Sequence, residues 1–265
     1  MKKNKYKILV LSDMKSASGN TIKSGVSFAK MINADLHVFH VKKPTEIVAI
    51  ESQLSAIRTI NKSYLERDNA IKTLIEPISK DYDINITCNH AFGNVKTEIM
   101  DCIQELKPDI IVLGKRKSKS TNLLGDNITD FVIKNHEGAV IIASEENALM
   151  PNTELSLGVL NGDNNSFNLE FAHSLFNHTQ KPLRSFTTDL SKVDSKDSKA
   201  SINKNTVEVV FDNGANSIKS LSNYLTKSDV NLLCVNRGHK SKANNKSDFK
   251  NVISKVNVSL LISCN

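Results

Sequence analysis

Asp13 and Gly114 are the residues whose type and placing suggest a ligand site, because each closes a short aliphatic run, Ile8-Leu9-Val10-Leu11-Ser12 and Ile110-Ile111-Val112-Leu113. A carboxylate just beyond a buried strand can accept hydrogen bonds from a ribose or an adenine edge, and it can equally cap the loop or helix that follows. Gly114 admits an unusual backbone conformation or the close approach of a ligand, with a simple turn as the plainer alternative. Behind it lie Lys115, Arg116, Lys117 and Lys119, and a helix start near Gly125, Asp126 and Asn127 would expose backbone N–H groups of the kind that hold phosphate. The plainer alternative for the lysines is a solvated basic loop.

Little else suggests chemistry. His37 and His40 stand three apart on one extended segment, which sends them to opposite faces and argues for core or sheet-edge histidines rather than a shared metal. Cys88, Cys102, Cys234 and Cys264 form no Cys-x-x-Cys pair, so free thiols are expected and no metal is predicted. The sequence has no Gly-x-Ser-x-Gly elbow, no complete Walker loop and no His-Glu-x-x-His helix. With no nucleophile matched to a base, the chain is not expected to be an enzyme.

The elements that must position Asp13 and Gly114 alternate. Ile8 to Leu11 is a continuous apolar run, the pattern of a strand buried on both faces. Ile22, Val26, Phe28, Ala29, Met31 and Ile32 recur at helical spacing up to Asn33, and Leu36 to Val41 is a second strand. Ile47 to about Lys80 keeps helical periodicity for longer than an ordinary globular helix, which predicts a break near Asn61 or Lys62. Ile84 to Ala91, a helix from Val95 to Leu106, Ile110 to Leu113, a helix from about Asp126 to Asn135 and Ala139 to Ala143 complete the series. Such alternation predicts an open parallel sheet with helices on both faces. Ligands of these sheets bind beyond the carboxyl ends of the strands, here Leu11-Ser12-Asp13, Val41-Lys42, Ala91-Phe92-Gly93 and the loop from Gly114.

The rhythm then repeats after a linker at Glu145 to Thr153. Leu155 to Leu160 parallels the first strand, Phe167 to Phe176 the first helix, and Leu183 to Phe186 the second strand. Thr206 to Phe211 and Ile218 to Leu225 match a strand and a helix, and Asn231 to Val235 and Val258 to Ser263 match the last two strands. Thr187 to Asn205 is rich in Ser, Lys and Asp where the first half has its long helix, and it is expected to be a mobile loop. Two tandem five-stranded domains are predicted, at 1–146 and 153–265, the second reduced.

Ile8 to Asp13, Ala34 to Val41 and Pro108 to Gly114 together resemble a universal stress protein domain, and the likeness runs in order over residues 5–144. The resemblance implies the adenine-nucleotide α-hydrolase-like, Rossmann-like fold. It also implies an Asp after the first strand on the adenosine, matched by Asp13, and a backbone contact to adenine at Val41. The family's phosphate motif is Gly-x2-Gly-x9-Gly-Ser/Thr. Gly114 matches its first position, while Lys117 takes the second glycine's place and Asp126-Asn127 fall where Gly-Ser/Thr belongs. In a shifted alignment Gly125 supplies the glycine and the lysines make up for lost backbone contacts. In the second half Asn236-Arg237-Gly238-His239 replaces Gly-x2-Gly, and Gly162 falls near the place of Asp13, with Asp163 one residue on. That half is expected to be structural.

The formal charge of +7 is spread among many acidic residues without a basic stripe or interleaved aromatics, which argues against nucleic acid. The apolar run after the basic N-terminus is too short for a signal peptide, and no run reaches membrane-spanning length, so a cytoplasmic protein without a membrane partner is expected. The resemblance implies a stress-response binding or regulatory module with at most one ATP site, in the first domain. It further implies pairing through the fifth strands, here within one molecule, with a homodimer also open and the protein partner unknown. The alternatives are a structural pseudo-dimer scaffold that has lost its nucleotide and a weak nucleotide hydrolase.

Overall fold

The computed structural model describes residues 5–15, 18–43, 53–115, 128–161, 170–188, 206–211, 217–236 and 243–263. The first half runs β1 (Tyr6–Ser12), α1 (Ser18–Ile32), β2 (Ala34–Lys42), α2 (Gln53–Asp81), β3 (Ile86–Phe92), α3 (Val95–Leu106), β4 (Ile110–Gly114), α4 (Ile128–Asn135) and β5 (Ala139–Ala143). The second runs β6 (Leu157–Leu160), α5 (Ala172–Asn177), β7 (Leu183–Thr187), β8 (Thr206–Val210), α6 (Ser217–Lys227), β9 (Leu232–Asn236), α7 (Ala243–Lys255) and β10 (Ser259–Ser263).

The strands form one ten-stranded sheet in the order β3-β2-β1-β4-β5-β10-β9-β6-β7-β8. Each half is parallel throughout and has the same internal order, and the halves join through an antiparallel pair that sets Leu261 opposite Ile141 and Ile262 opposite Val140. The two open five-stranded parallel sheets are thus joined at their fifth strands, as the resemblance implied, into one continuous sheet. The reason is burial: every residue of β5 and β10 is covered, and a fully apolar edge with open N–H and C=O groups would be a site of aggregation.

A repeated hydrogen-bond pattern underlies the common order. Asp109, just before β4, donates its backbone N–H to the Lys7 carbonyl at 3.0 Å and accepts the Lys7 N–H on its carboxylate at 2.8 Å. Asn231, just before β9, is bonded to Ser156 in the same manner, its side-chain oxygen accepting the Ser156 N–H at 2.9 Å. The central strand of each half then starts in one register, Ile8 beside Ile110 and Leu157 beside Leu232.

Helices α1, α2 and α5 cover one face, and α3, α4, α6 and α7 the other. Gly25 lets α1 lie close on β1, since a Cβ there would meet Val10 at 2.7 Å. On the first face the second half has only the short α5, and the first half helps to cover it: Phe171 sits edge-on between Tyr6 and Phe28, with ring centroids 5.9 and 5.7 Å away. The segment between the halves is also packed, with Leu149 and Leu155 buried.

Two readings change. Helix α2 runs unbroken through Asn61 and Lys62, because its Ile71, Ile75 and Ile78 stripe is buried along the sheet and i,i+4 pairs such as Lys72–Asp68 at 2.7 Å support its outer face. Its interruption is Pro77, which cannot donate to the Thr73 carbonyl. Helix α7 was not anticipated, although Phe249, Val252, Ile253 and Val256 have helical spacing. The loop expected at Thr187 to Asn205 lies, from residue 189 onward, outside the described residues, as does the start of the helix expected from Phe167.

Leu261→Ala should lower stability by about 2–5 kcal/mol, the usual cost of truncating a buried leucine. Leu65→Ala on the exposed side of α2 should stay within about 0.5 kcal/mol. Equal urea midpoints for the two variants would contradict the role given to the β5–β10 seam.

Candidate functional site

Strand order reverses in the first half between β1 and β4, so the loops after them diverge and leave a crevice at their carboxyl ends. A cleft of about 430 Å³ lies there. Leu11, Phe39, Val95, Ile99 and Leu113 supply an apolar wall, and the charged groups around it are Lys15, Lys42, Lys43, Arg67 and Lys115 against Asp13. Such a lining suits a flat apolar group that carries negative charge.

Asp13, Val41 and Gly114 are brought together here. The capping role read for Asp13 is seen: its Oδ1 accepts the Lys15 N–H at 3.2 Å and the Ser18 hydroxyl at 3.1 Å, fixing the turn into α1. Met14 between them is left-handed, with φ of 55°. Val41 is half-buried near the end of β2, in register with Ala91. Gly114 is not in the left-handed region. Its missing Cβ makes room for Thr21 of α1, whose hydroxyl oxygen would stand 2.6 Å from it, so protein packing already accounts for this glycine. Arg116, Lys117 and Lys119, with Gly125, Asp126 and Asn127, lie outside the described residues, as do Gly162, Asp163, Arg237, Gly238 and His239.

Lys115 lines the cleft, but its ammonium donates to the carbonyl of Val256, just beyond α7, and its backbone N–H donates to Ala143 at 2.8 Å. Burial pushes its pKa down. A cation at a helix C-terminus is favourable, so this lysine ties the cleft to the second half.

Two lining residues are not among the expected site residues: Arg67, which was not named, and His40, read as a core or sheet-edge histidine. Arg67 stands four residues before Ile71, on the stripe of α2 that faces the sheet, and an arginine on an apolar stripe was the available signal. His40 continues the inward alternation of Leu36 and Val38 and is buried. His37 faces the other way and bonds Thr87 at 2.8 Å and Asn89 at 2.7 Å. Cys88 and Cys102 are half-buried free thiols, and burial pushes the Cys234 thiol up to about 12, while Cys264 lies outside the described residues.

At the corresponding tips of the second half, Asn161 turns its side-chain oxygen to the Thr188 N–H at 2.9 Å and to the Thr188 hydroxyl at 3.2 Å. No described helix is long and apolar enough to cross a membrane, and no group of three or more metal-ligating side chains is found among the described residues.

Residues 6–143, more than half of the chain, match the universal stress protein family. The chain belongs to the universal stress protein family. Among solved structures it is similar to a universal stress protein from Archaeoglobus fulgidus, at 13% identity and a TM-score of 0.68, over 98% of this chain and 96% of that one. It is also similar to a functionally unknown protein from Pseudomonas aeruginosa (11% identity, TM-score 0.58, 98% and 92% covered) and to a putative universal stress protein from the same species (11%, 0.56, 98% and 93%). At these identities the likeness is one of fold, and it extends over both halves. No curated protein matches the chain.

Two outcomes are expected. Lys115→Met leaves the Val256 carbonyl without its donor and should lower stability by about 1–3 kcal/mol. Lys30→Met, which frees only the exposed Tyr82 carbonyl, should change it by less than about 0.5 kcal/mol, as urea titration would show. Burial lowers the His40 pKa below its ordinary 6.5, so below that pH the unfolded chain binds the proton and the folded chain resists it. Stability should therefore be full above about pH 6.5 and fall in acid, by at most about 1.4 kcal/mol per pH unit for this group, with a shallower fall in His40→Gln.

Proposed function

We propose that this universal stress protein is a stress-response binding module whose first half holds one adenine nucleotide, ATP foremost, and which is not an enzyme. In this reading residues 1–146 and 153–265 are two copies of one domain, the second a structural copy. The observation that carries it is the cleft that gathers Asp13, Val41 and Gly114 beneath an apolar wall and a cationic rim. The adenosine end of a nucleotide fits these residues: base against Phe39 and Leu113, ribose toward Asp13. The phosphates would extend toward the loop after Gly114. Asn161, bonded to Thr188 at the second tips, supports a single site.

The packing of Gly114 against Thr21 favours a second reading, a scaffold that has kept the fold and lost the ligand. The two separate in a thermal-shift titration. ATP at a hundred times its Kd should stabilise the parent by about 2.7 kcal/mol. Asp13→Asn keeps an acceptor for Lys15 and Ser18 while removing the charge, and should bind more weakly without loss of basal stability. No shift with ATP, ADP or AMP would leave the scaffold reading standing.

A further inference from the structure

Arg67 is a half-buried cation in the wall of the cleft, and the fold gives it no counter-charge. On α2 the carboxylates on either side of it are taken, since Glu66 pairs with Lys62 at 3.9 Å and Asp68 with Lys72 at 2.7 Å. Across the cleft, Asp13 is the carboxylate of the lining, and its Oδ1 is occupied by the Lys15 N–H and the Ser18 hydroxyl. No hydrogen bond or ion pair to the Arg67 guanidinium is found among the described residues. The position is an unusual one for a charge, because residues 67, 71, 75 and 78 share one stripe of α2 and the other three are buried isoleucines. An unpaired arginine on such a stripe lacks the ion pair that ordinarily offsets its desolvation.

We propose that Arg67 is the anion-binding residue of the cleft and that its guanidinium forks onto a phosphate of the bound nucleotide. This rests on the nucleotide reading above and adds to it a residue and a ligand requirement: a phosphate must reach the α2 side of the site. The 5′ chain and a phosphate on the ribose 2′ or 3′ oxygen offer the same contact.

The layout of the cleft favours that assignment. Its apolar wall belongs to the face of the sheet covered by α3 and α4, whereas Asp13, bonded to Ser18 of α1, and Arg67 of α2 stand on the other face. A base on the apolar wall therefore turns its polar remainder toward α1 and α2. Lys115 is committed to the Val256 carbonyl, and Lys15 and Lys43 are exposed, so water screens them. A guanidinium presents its donors in a planar fork that matches two phosphate oxygens, and on a helix it is held in place. The same charge is felt by two histidines. Burial is the main reason that His40, in the lining, and His90, its register partner on β3, resist protonation, and Arg67 adds to it at both. His90 adds further at His40, while the Ser12 carbonyl and Asp13 oppose it there, as Asp68 does at His90. A phosphate on Arg67 offsets its charge and so eases protonation of both rings, which gives the contact a signature separate from affinity.

The gain in affinity from a phosphate is the quantity to measure. Kd values for adenosine, AMP, ADP and adenosine 2′- and 3′-phosphate would be compared by calorimetry on the full chain at about pH 8, where the phosphates are fully charged. At least one phosphorylated ligand should bind the parent about 10- to 100-fold more tightly than adenosine. Arg67→Gln, which keeps a good helix former, should lose that gain and retain the parent's affinity for adenosine. Arg67→Lys should recover part of it, and Lys80→Gln, which removes an equal charge from the last turn of the same helix, should keep all of it. A gain lost with AMP and ADP assigns the contact to the 5′ chain, and one lost only with the 2′- or 3′-phosphate assigns it to the ribose. In a histidine-resolved NMR titration, the phosphorylated ligand should move the His40 and His90 midpoints to higher pH in the parent and leave them in place in Arg67→Gln. A parent that binds adenosine but gains nothing from any phosphate, or a gain that survives in Arg67→Gln, would overturn the role of Arg67 while leaving the nucleoside site intact. A parent that binds none of these ligands would overturn both.

Discussion

The antiparallel contact between β5 and β10 is the constraint on which the rest of the molecule depends. Each half ends in a strand of fully buried residues, and neither could face water. Joining them turns two edges into the middle of one sheet, and the two apolar layers then run without interruption from the first half into the second. A half with few helices on one face can persist in this arrangement. Its β6 is sheltered by α5, and α5 leans on Phe28 of the first half's α1, so part of the second half's cover is borrowed.

The order of elements was legible because strands buried on both faces appear as uninterrupted aliphatic runs, and Ile110 to Leu113 and Ala139 to Ala143 leave little choice. The errors have local causes. A break was expected in α2 on length alone, but a helix that lies on a wide sheet with its Ile71-Ile75-Ile78 stripe buried can be long. The sequence of α7 is mostly polar, and its large apolar residues, Phe249, Val252 and Ile253, all fall in its second half, so its period was weak.

The site was legible in part. Asp13 and Val41 fall in the lining of the cleft because both stand at carboxyl ends of parallel strands. Asp13 caps its loop and also stands in the lining of the cleft. Gly114 shows the opposite difficulty, since the contact that demands a glycine comes from Thr21, far away in sequence. Residues that act through a distant neighbour, as Lys115 does through Val256 and His40 through Ser12, leave no mark in spacing.

The antiparallel seam also decides where a ligand can matter. Because the halves are internally parallel and mutually antiparallel, their strand tips open at opposite margins of the sheet, and the two sets of loops cannot build one site together. The tips of the first half instead meet the strand starts of the second. There Lys115 reaches the Val256 carbonyl, and Ser144 and Asn147 bond to the Asn257 carbonyl at 2.8 and 2.9 Å. These bonds tie the end of β4 and the segment after β5 to the residues between α7 and β10.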